Sequence, residues 1–303
     1  MTISALVIGY GSIGQRHVKI LKNKLKIKDI TISTKKKLNG FNTIGSLYNL
    51  KKKPSYVIIA SPTIKHFEQL KIVEKNFKGV SVLVEKPLFD SYKKLKVKNN
   101  KVFVGYNLRF HPILKYIKKN IKNKKIFDIK IICNSYLPDW RTNISYKKSS
   151  SAKRNMGGGV VLDLSHELDF VRWLFGDINI KFVQRGKFSN LLINTDDLLK
   201  LYGTIGKINI SIDLNYYSKI KRRTISIDGK NFSIFADLFK NELEIKTNKK
   251  SLIKKFGNLR VDDTYLQQHK AILSKNLKDV CNYSFALGTM KLIKSIQNWK
   301  KSS

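Results

Sequence analysis

The chain has 303 residues, 42% of them hydrophobic, which is enough for two domains with ordinary cores. It contains no apolar run close to the roughly 18 residues that span a bilayer, and its two cysteines, Cys133 and Cys281, are too few for a disulfide framework or a zinc site. Lys and Arg number 60 against 21 Asp and Glu, but the lysines are spread along the whole chain and accompany no nucleic-acid-binding motif, so we predict no specific nucleic-acid partner, no membrane partner and no metal.

The first predicted unit is a strand, a glycine-rich turn and a helix. The apolar run at residues 5–8 leads into three glycines with the spacing G-x-G-x-x-G, and apolar residues at helical spacing follow. In such a unit the glycines permit a tight turn, the approach of a pyrophosphate to the backbone, and the packing of helix on strand. The N–H groups of the first helical turn then face the phosphates. The residues predicted to bind a dinucleotide here are Gly9, Tyr10, Gly11, Ser12, Ile13 and Gly14.

The second predicted strand, residues 29–34, ends about 20 residues beyond the glycines, where a site for NAD usually places an Asp or Glu on the ribose 2′-hydroxyl. This sequence has Ser33, Thr34 and Lys35 there, followed by two more lysines. Hydroxyl and ammonium groups bind a 2′-phosphate, which a carboxylate would repel. We therefore expect NADP as the preferred cofactor, with NAD as the alternative.

Three further strands are predicted at residues 54–60, 80–84 and 101–104, with helical or polar segments between them. Continuous apolar strands that alternate with helices are typical of a doubly wound parallel sheet, in which ligands bind beyond the carboxyl ends of the strands. We therefore predict an α/β fold with a Rossmann dinucleotide-binding domain at residues 1–112. The residues expected to line one crevice at these strand ends are Ser61, Thr63, Lys86, Asn107 and Arg109. All of these except Arg109 belong to the predicted cofactor-binding set, which Pro62, His66 and Glu85 complete.

Beyond residue 112 the pattern changes to consecutive strands with few helices, which favours a mainly antiparallel sheet. The predicted strands are 126–133, 179–188, 198–204, 208–217, 223–227, 232–237 and 242–246, and the predicted helices are 113–121, 160–175, 264–276 and 284–299. Asp228 and Gly229 are a hairpin signal between two of these strands. We therefore predict an α+β domain for substrate binding and oligomerisation at residues 113–303, whose C-terminal helix is free to pack back on the first domain.

The helix predicted at residues 160–175 follows three glycines and carries two candidate catalytic residues. Its apolar side chains form one stripe, and Gly176 is placed to end it. Asp163 and His166 are three residues apart, which makes them neighbours on the helix surface. The glycines at residues 157–159 let either another backbone segment or a ligand come close.

Three motifs occur in order along the chain: the glycine turn, Glu85-Lys86-Pro87 and residues 157–169. Together they resemble the Gfo/Idh/MocA oxidoreductase family, named for glucose–fructose oxidoreductase and inositol dehydrogenase. The resemblance covers essentially the whole chain. It implies a Rossmann domain followed by a sheet domain, a cis Lys86–Pro87 bond, and a homodimer or homotetramer joined through the sheet. Residues 105–112 and 137–141 resemble a branch associated with surface-sugar biosynthesis.

The same resemblance implies that Lys86, Asp163 and His166 form the catalytic group, although many members separate the Asp and the His by four positions rather than three. Oxidation of a secondary alcohol needs a hydride acceptor, which the dinucleotide supplies, and a base for the hydroxyl proton. His166 suits the base because the ordinary pKa of histidine is about 6.5, and Lys86 would then polarise the hydroxyl oxygen. The reverse assignment stays open, and Asp163 would orient its neighbours or the sugar.

The predicted substrate-binding residues are Asn107, Arg109, Trp140 and Arg141, together with the catalytic group. Arg109 and Arg141 could grip a carboxylate or phosphate, and Trp140 could stack on a sugar or the nicotinamide. Each also has a structural interpretation, as a solvated charge or a core side chain. These residues and the family resemblance predict an NAD(P)-dependent sugar-type dehydrogenase or reductase. The alternative is a binding protein of the same fold that holds a dinucleotide or sugar without turnover.

The remaining histidines are interpreted from their neighbours in the sequence. His17 and His66 either shape the cofactor crevice or pack, His111 is structural, and His269, on a basic helix, is expected at the surface. The first residues show neither a charged segment nor a cleavage site of a secretory signal. We therefore expect a cytoplasmic protein.

Overall fold

The structure, a computed structural model, describes residues 3–47, 50, 52–141 and 145–299. Residue contacts divide the chain into two compact units. The first unit comprises Met1–Phe110 and Arg260–Met290, and the second comprises His111–Leu259 and Lys291–Ser303. The functional assignment of residues 1–112 and 113–303 stays a prediction.

The described part of the chain contains fifteen strands and seven α-helices. The strands are β1 (Ser4–Ile8), β2 (Asp29–Ser33), β3 (Asn42–Ile44), β4 (Tyr56–Ile59), β5 (Ser81–Val84), β6 (Lys101–Val104), β7 (Ile126–Tyr136), β8 (Asn179–Gly186), β9 (Leu198–Ile205), β10 (Ile208–Asn215), β11 (Tyr217–Gly229), β12 (Phe232–Asp237), β13 (Glu242–Thr247), β14 (Ser251–Lys255) and β15 (Cys281–Asn282). The helices are α1 (Ser12–Lys19), α2 (His66–Asn76), α3 (Pro112–Asn120), α4 (Val160–Asp163), α5 (Ser165–Phe175), α6 (Val261–Leu273) and α7 (Tyr283–Gln297). Among these residues, no helix combines the length and apolar character needed to cross a membrane.

The first unit is built on a seven-stranded sheet in the order β15-β6-β5-β4-β1-β2-β3. All neighbouring strands are parallel except β15, which pairs antiparallel with β6. Because β1 lies between β2 and β4, the strand order reverses at β1, as in a doubly wound fold. The predicted parallel sheet is therefore confirmed. β3 and β15 have three and two residues, too few to appear in the hydrophobic pattern.

The central strands of this sheet are buried on both faces. Every residue of β4 is 0% exposed, and the last four residues of β1 are buried as well. Strands of a parallel sheet lose the alternation of polar and apolar residues when both faces are covered. This burial explains why the strands appear in the sequence as continuous apolar runs with polar residues only at their ends.

The second unit is built on an eight-stranded sheet in the order β14-β13-β12-β11-β7-β10-β9-β8. Its neighbours are antiparallel except for β7 and β10, which are parallel. In β12, buried and exposed residues alternate, as expected for a sheet with one covered face. The mainly antiparallel sheet predicted from the sequence is confirmed.

The hairpin between β11 and β12 forms two residues later than predicted. Asp228 and Gly229 are the last residues of β11, and Gly229 pairs with Phe232. The turn is therefore Lys230-Asn231, in which Asn231 has a φ of 64°. Asparagine tolerates this left-handed conformation, and a Cβ at Gly229 would collide with the Phe232 ring, so the glycine serves packing instead.

The predicted helix at residues 160–175 is two helices. Leu164, with φ of −97° and ψ of 27°, separates α4 from α5, and the prediction of one continuous helix is wrong. Asp163 therefore ends α4, while His166 is the second residue of α5. Apolar periodicity continues through Leu164 because that residue is itself buried, so the pattern does not reveal the break. Gly176, with a φ of 113°, ends α5 as predicted.

Candidate cofactor and substrate sites

The glycine turn between β1 and α1 is packed against the protein at two glycines and open at the third. A Cβ on Gly9, whose φ is +97°, would lie 2.8 Å from the backbone of Ser61, and one on Gly14 would collide with the Gly9 carbonyl oxygen. Gly11 is exposed, and no described atom lies within 4 Å of its Cβ position. Gly11 is also the N-cap of α1, where free backbone N–H groups favour an anion. The turn therefore fits the pyrophosphate of a dinucleotide.

The carboxyl end of β2 carries hydroxyl and ammonium groups. Ser33 ends the strand, the Thr34 N–H donates to the Ile44 carbonyl at 3.0 Å, and Lys35 is exposed. The Thr34 hydroxyl oxygen accepts from the Lys36 N–H at 3.2 Å, which shapes the turn after the strand. These predicted cofactor residues thus lie where a Rossmann fold contacts the ribose of the adenosine.

The His66 ring lies within hydrogen-bond distance of both the segment that follows β4 and the segment that follows β5. Its Nε2 lies 2.9 Å from the Ser61 carbonyl oxygen and its Nδ1 lies 3.1 Å from the Pro87 carbonyl oxygen. Burial lowers the pKa of His66, so the ring is neutral and donates one N–H. Beside it, the Ser61 hydroxyl donates to Gln69 Oε1 at 2.6 Å, and Pro62 and Thr63 begin a short 3₁₀ turn. His66 therefore shapes this edge from within the protein.

The Glu-Lys-Pro turn follows β5 directly. The Lys86–Pro87 peptide bond is cis, as the family resemblance implied. Lys86 is half-buried, while Glu85 is buried and its carboxylate faces the interior. Glu85 Oε1 lies 2.9 Å from His17 Nε2, and Oε2 accepts the Lys86 N–H at 3.3 Å. Glu85 is thus engaged in the core of the first unit.

The segment after β6 carries Asn107 and Arg109, both buried. Asn107 Nδ2 donates to the Thr264 hydroxyl at 2.7 Å, and its Oδ1 is enclosed without a donor among the described residues. A buried amide oxygen of this kind favours a ligand that brings a hydrogen-bond donor. The Arg109 guanidinium lies 4.3 Å from the ring centre of Phe285 on α7. Asn107 is therefore the better placed of the two for a polar ligand.

Helix α6 supplies four buried polar side chains to which the sequence analysis gave no functional role, namely Thr264, Tyr265, Gln268 and His269. The prediction that His269 lies at the surface is wrong, because the residue is 0% exposed and its Nε2 lies 2.8 Å from His17 Nδ1. Burial holds the pKa of His269 well below its usual range. A signal was present, since Thr264 and Gln268, like Tyr265 and His269, are one helical turn apart.

In the second unit, Asp163 is held by a buried tyrosine. The Tyr216 hydroxyl donates to Asp163 Oδ2 at 2.5 Å, and burial, followed by the Asp163 charge, raises the pKa of Tyr216 well above its usual range. The Trp140 ring meets Tyr216 edge-on at 5.2 Å, and its Nε1–H donates to the Ser135 hydroxyl at 2.9 Å. Trp140 keeps 37% of its surface exposed. We call Asp163, Tyr216, Trp140 and Ser135 the Asp163 cluster.

The other predicted residues of the second unit are His166 and Arg141. His166 is buried at the start of α5, and Arg141 is exposed directly after Trp140. Lys86 belongs to the first unit, and Asp163 and His166 belong to the second. No group of three or more His, Cys, Asp or Glu residues with metal-ligand geometry occurs among the described residues.

The glycines before α4 accommodate the protein itself. A Cβ on Gly158 would collide with the Ser150 carbonyl oxygen, and one on Gly159 would lie 2.7 Å from the Asp196 carboxylate. Asp196 also accepts the Val161 N–H at 3.3 Å and lies 3.3 Å from Arg185. Of the two predicted uses for these glycines, the close approach of other protein segments is the one found.

Comparison with known proteins relates these features to a family and a fold. Residues 3–102 match the GFO_IDH_MocA family model, described as an oxidoreductase family with an NAD-binding Rossmann fold. An uncharacterized oxidoreductase, sll0816, of Synechocystis sp. (strain ATCC 27184 / PCC 6803 / Kazusa) is 30% identical over 128 residues, which are 40% of this chain and 34% of that protein. The match thus spans about a third of the length of that relative.

Solved structures resemble nearly the whole chain. A levoglucosan dehydrogenase in complex with NADH has a TM-score of 0.83 at 15% identity, over 98% of this chain and 96% of that one. The WlbA dehydrogenase of Bordetella pertussis, in complex with NADH and UDP-GlcNAcA, has a TM-score of 0.77 at 16% identity, over 98% and 96%. UDP-N-acetylglucosamine 3-dehydrogenase GnnA of Acidithiobacillus ferrooxidans has 0.79 at 14% identity, over 98% and 97%. At such identities the likeness establishes a shared fold.

Proposed function

We propose that the chain is a member of the Gfo/Idh/MocA oxidoreductase family, whose model matches residues 3–102, and that it transfers a hydride between a nicotinamide dinucleotide and a hydroxyl or keto carbon of a sugar, sugar acid or nucleotide sugar. The observation that carries this proposal is the open glycine turn at the N-terminus of α1, on the same strand-end edge as Lys86 and Asn107. Bound NAD(P) would supply the hydride donor or acceptor.

The residues of the turn would hold the dinucleotide. The Gly11 position leaves space for the pyrophosphate, and the first N–H groups of α1 would donate to it. Ser33, Thr34 and Lys35 would contact the adenosine ribose and bind a 2′-phosphate, which supports NADP as the preferred form. Asn107 Oδ1 would accept from a ligand donor near the carboxyl end of β6.

The chemistry at the reacting carbon needs a proton transfer and an oriented hydroxyl. We assign the proton transfer to His166 and the polarisation of the oxygen to Lys86, with the reverse assignment as the alternative. Asp163, whose Oδ2 is fixed by Tyr216, would orient the sugar, and the exposed ring of Trp140 would offer it a stacking surface. The exposed Arg141 beside it suits an anionic substituent. A nucleotide sugar is supported by the shared fold of WlbA, solved in complex with UDP-GlcNAcA, and of GnnA, a UDP-N-acetylglucosamine 3-dehydrogenase.

Cofactor choice is tested by titrating the full chain with NADPH and NADH and following energy transfer from protein to cofactor fluorescence. Tighter binding of NADPH, weakened selectively by Lys35→Glu and unaffected by the exposed control Lys53→Glu, is the expected result. Equal binding of both cofactors would remove the NADP preference. If the protein binds neither NADPH nor NADH, the hypothesis that it binds a dinucleotide is wrong.

Turnover is tested by screening sugars, sugar acids and nucleotide sugars with the preferred cofactor. Lys86→Ala and His166→Ala should each abolish measurable turnover while leaving the dissociation constant of the cofactor within about 10-fold of wild type. If both variants match wild type with every substrate that reacts, the assignment of these residues is wrong. Cofactor binding without turnover of any substrate would favour the alternative, a dinucleotide- or sugar-binding regulator.

We also propose that the outer face of the eight-stranded sheet joins copies of the chain. Direct strand pairing aligns one row of residues across this sheet, in which Phe182, Tyr202, Phe235 and Ile253 are apolar and exposed. The other residues of this row are Ser211, Lys130, Ser226 and Glu244. Exposed large apolar side chains that recur across one sheet face favour an interface. Light scattering should show a dimer or tetramer that Tyr202→Glu with Phe235→Glu dissociates. The control Phe188→Glu, an exposed residue outside the row, should leave the mass unchanged.

A further inference from the structure

Four buried polar side chains form a continuous chain that ends at the Glu-Lys-Pro turn of the first unit. Tyr56 begins β4, His269 lies on α6, His17 lies on α1, and Glu85 follows β5. The Tyr56 hydroxyl lies 2.8 Å from His269 Nδ1, His269 Nε2 lies 2.8 Å from His17 Nδ1, and His17 Nε2 lies 2.9 Å from Glu85 Oε1. We call these four residues the Tyr56–Glu85 relay.

Only one direction of hydrogen-bond donation along the relay gives every buried donor an acceptor. Burial holds the pKa of His269 well below its usual range, so its ring is neutral and carries one N–H. Burial likewise raises the pKa of Tyr56, whose hydroxyl therefore keeps its proton. Among the described residues, His269 is the hydrogen-bond partner of that hydroxyl, and the reverse direction would leave the buried O–H proton without an acceptor.

The proton positions follow from this direction. Tyr56 donates to His269 Nδ1, and the N–H of His269 is therefore on Nε2 and donates to His17 Nδ1. His17 in turn carries its proton on Nε2 and donates to the Glu85 carboxylate. Every polar atom along the relay then has a partner of the correct kind.

The carboxylate at the end of the relay is enclosed on its other sides. Glu85 Oε2 accepts the Lys86 N–H at 3.3 Å. A Cβ on Gly105, the residue after β6, would lie 2.7 Å from Glu85 Oε1, so this glycine makes room for the carboxylate. The side chain of Glu85 is thus held in one orientation between α1, the end of β6 and the backbone of Lys86.

Helix α6 also contacts α1 directly, beside the relay. Arg16 Nε lies 3.0 Å from Asp262 Oδ1, and its guanidinium lies 5.3 Å from the ring centre of Tyr265. The Tyr265 ring packs edge-on against His17 at 5.5 Å. The charged and titratable groups around His17 are therefore Arg16, Glu85, Asp262, Tyr265 and His269. Through these contacts α6 supports both the relay and the helix that follows the glycine turn.

We propose that His17 and His269 are positioning residues, which through Glu85 fix the backbone of Lys86 relative to the start of α1. This inference rests on the proposed function, in which the glycine turn before α1 holds the dinucleotide and Lys86 acts on the substrate. A shift of Lys86 relative to the bound cofactor would lower the rate of hydride transfer, since turnover depends steeply on the alignment of reacting groups.

The direction of the relay is tested first on the unmodified full chain. Two-bond proton–nitrogen NMR of protein labelled with ¹⁵N-histidine reports which ring nitrogen carries the proton, and single histidine variants assign the signals. We expect both His17 and His269 to be protonated on Nε2 at neutral pH. A proton on Nδ1 of either ring, with or without one on Nε2, would overturn the proposed direction. This readout requires neither cofactor nor substrate, so it is independent of the proposed function.

The positioning role is tested with His269→Phe, which retains a ring of similar size but neither nitrogen. Its turnover should fall about 10-fold or more, with the cofactor dissociation constant within about threefold of wild type. The single variant His17→Gln, whose Nε2 can still donate to Glu85, should lose less turnover than His269→Phe. The control His111→Asn replaces a buried histidine of the second unit and should leave turnover unchanged.

Three outcomes separate the inference from the function on which it rests. Equal turnover in His269→Phe and wild type would refute the positioning role while the proposed function stands. A His269→Phe protein with normal turnover but lower unfolding temperature would show a purely structural role. If the wild-type protein binds neither NADH nor NADPH, the proposed function fails, and with it the positioning role, whatever the NMR result.

Discussion

Two glycine clusters precede helices in this chain, and one of them has a position that the protein leaves open. In the first unit, Gly11 is exposed, and no described atom lies within 4 Å of the position of its missing Cβ. In the second unit, the Cβ position of Gly158 is filled by the Ser150 carbonyl oxygen and that of Gly159 by the Asp196 carboxylate. Gly9 and Gly14 of the first cluster also make room for the protein itself, so the clusters differ in the one open position, at Gly11.

The comparison teaches that a run of glycines predicts a close approach without identifying what approaches. Both clusters are followed by an apolar helical pattern, so their sequences suggest similar roles. The distinguishing property is the surroundings of each glycine, which residues distant in the sequence supply. Asp196, for example, lies 37 positions after Gly159.

The largest effect is expected where the glycine faces backbone. Gly158→Ala should lower the free energy of unfolding by about 3 kcal/mol, because a carbonyl oxygen cannot move aside as a flexible side chain does. Urea denaturation measures the change. The control Gly45→Ala has open space around its Cβ position and should change stability by less than about 0.5 kcal/mol. Equal stability of the two variants would contradict the assignment.

Acid should weaken the second unit through His111, whose pKa is lowered to about 4 by burial. Because the unfolded chain keeps the ordinary value, it binds more protons between about pH 6.5 and pH 4, so stability present above this window is lost as the pH falls through it. The loss amounts to roughly 3 kcal/mol. His111 Nδ1 accepts the Ile113 N–H at the start of α3, and protonation removes that acceptor.

Urea titrations across this pH window provide the measurement for His111. His111→Asn, which retains a side-chain acceptor at the N-cap of α3, should show a shallower fall in stability with acid than wild type. A parallel fall in both proteins would mean that other groups cause the acid sensitivity.

A smaller effect, on binding rather than stability, is expected at the open glycine of the first cluster. Gly11→Ala should weaken NAD(P)H binding by about 30-fold, on the order of 2 kcal/mol, because the added methyl occupies space assigned to the pyrophosphate. Its φ of −77° is available to alanine, so stability should change by less than about 0.5 kcal/mol. Fluorescence titration and thermal unfolding of one sample test both parts. Unchanged affinity would remove the distinction between the two clusters.

The smallest expected effect concerns Asp163, at the end of the helix that follows the second cluster. Tyr216→Phe removes the hydroxyl that donates to Asp163 Oδ2 and should lower turnover about 10-fold with cofactor binding unchanged. Tyr217→Phe, a change at the next, less buried tyrosine, is the matched control. If the two variants have equal turnover, the orientation of Asp163 does not limit the reaction.

The local residue pattern correctly predicted the strands and helix ends that depend only on neighbouring residues. The strands at residues 101–104 and 232–237 have the predicted bounds, because a buried run and a regular alternation each determine a strand without distant partners. Gly176 ends α5 as predicted, because its φ of 113° is one that glycine adopts and other residues rarely do. The break at Leu164 could not be predicted, since the apolar period continues through it.

The sequence by itself determined the order of most strands and helices, the glycine turn, the class of both sheets and the residues that follow the predicted strands, because these depend on side-chain periodicity and on backbone freedom. Only the tertiary structure decided which polar residues are buried together. His17 and His269 are 252 positions apart and contact each other at 2.8 Å, so no local pattern could relate them. Burial of a titratable side chain is decided by the segments that pack around it, and in this chain those segments come from α1, β4, β5 and α6.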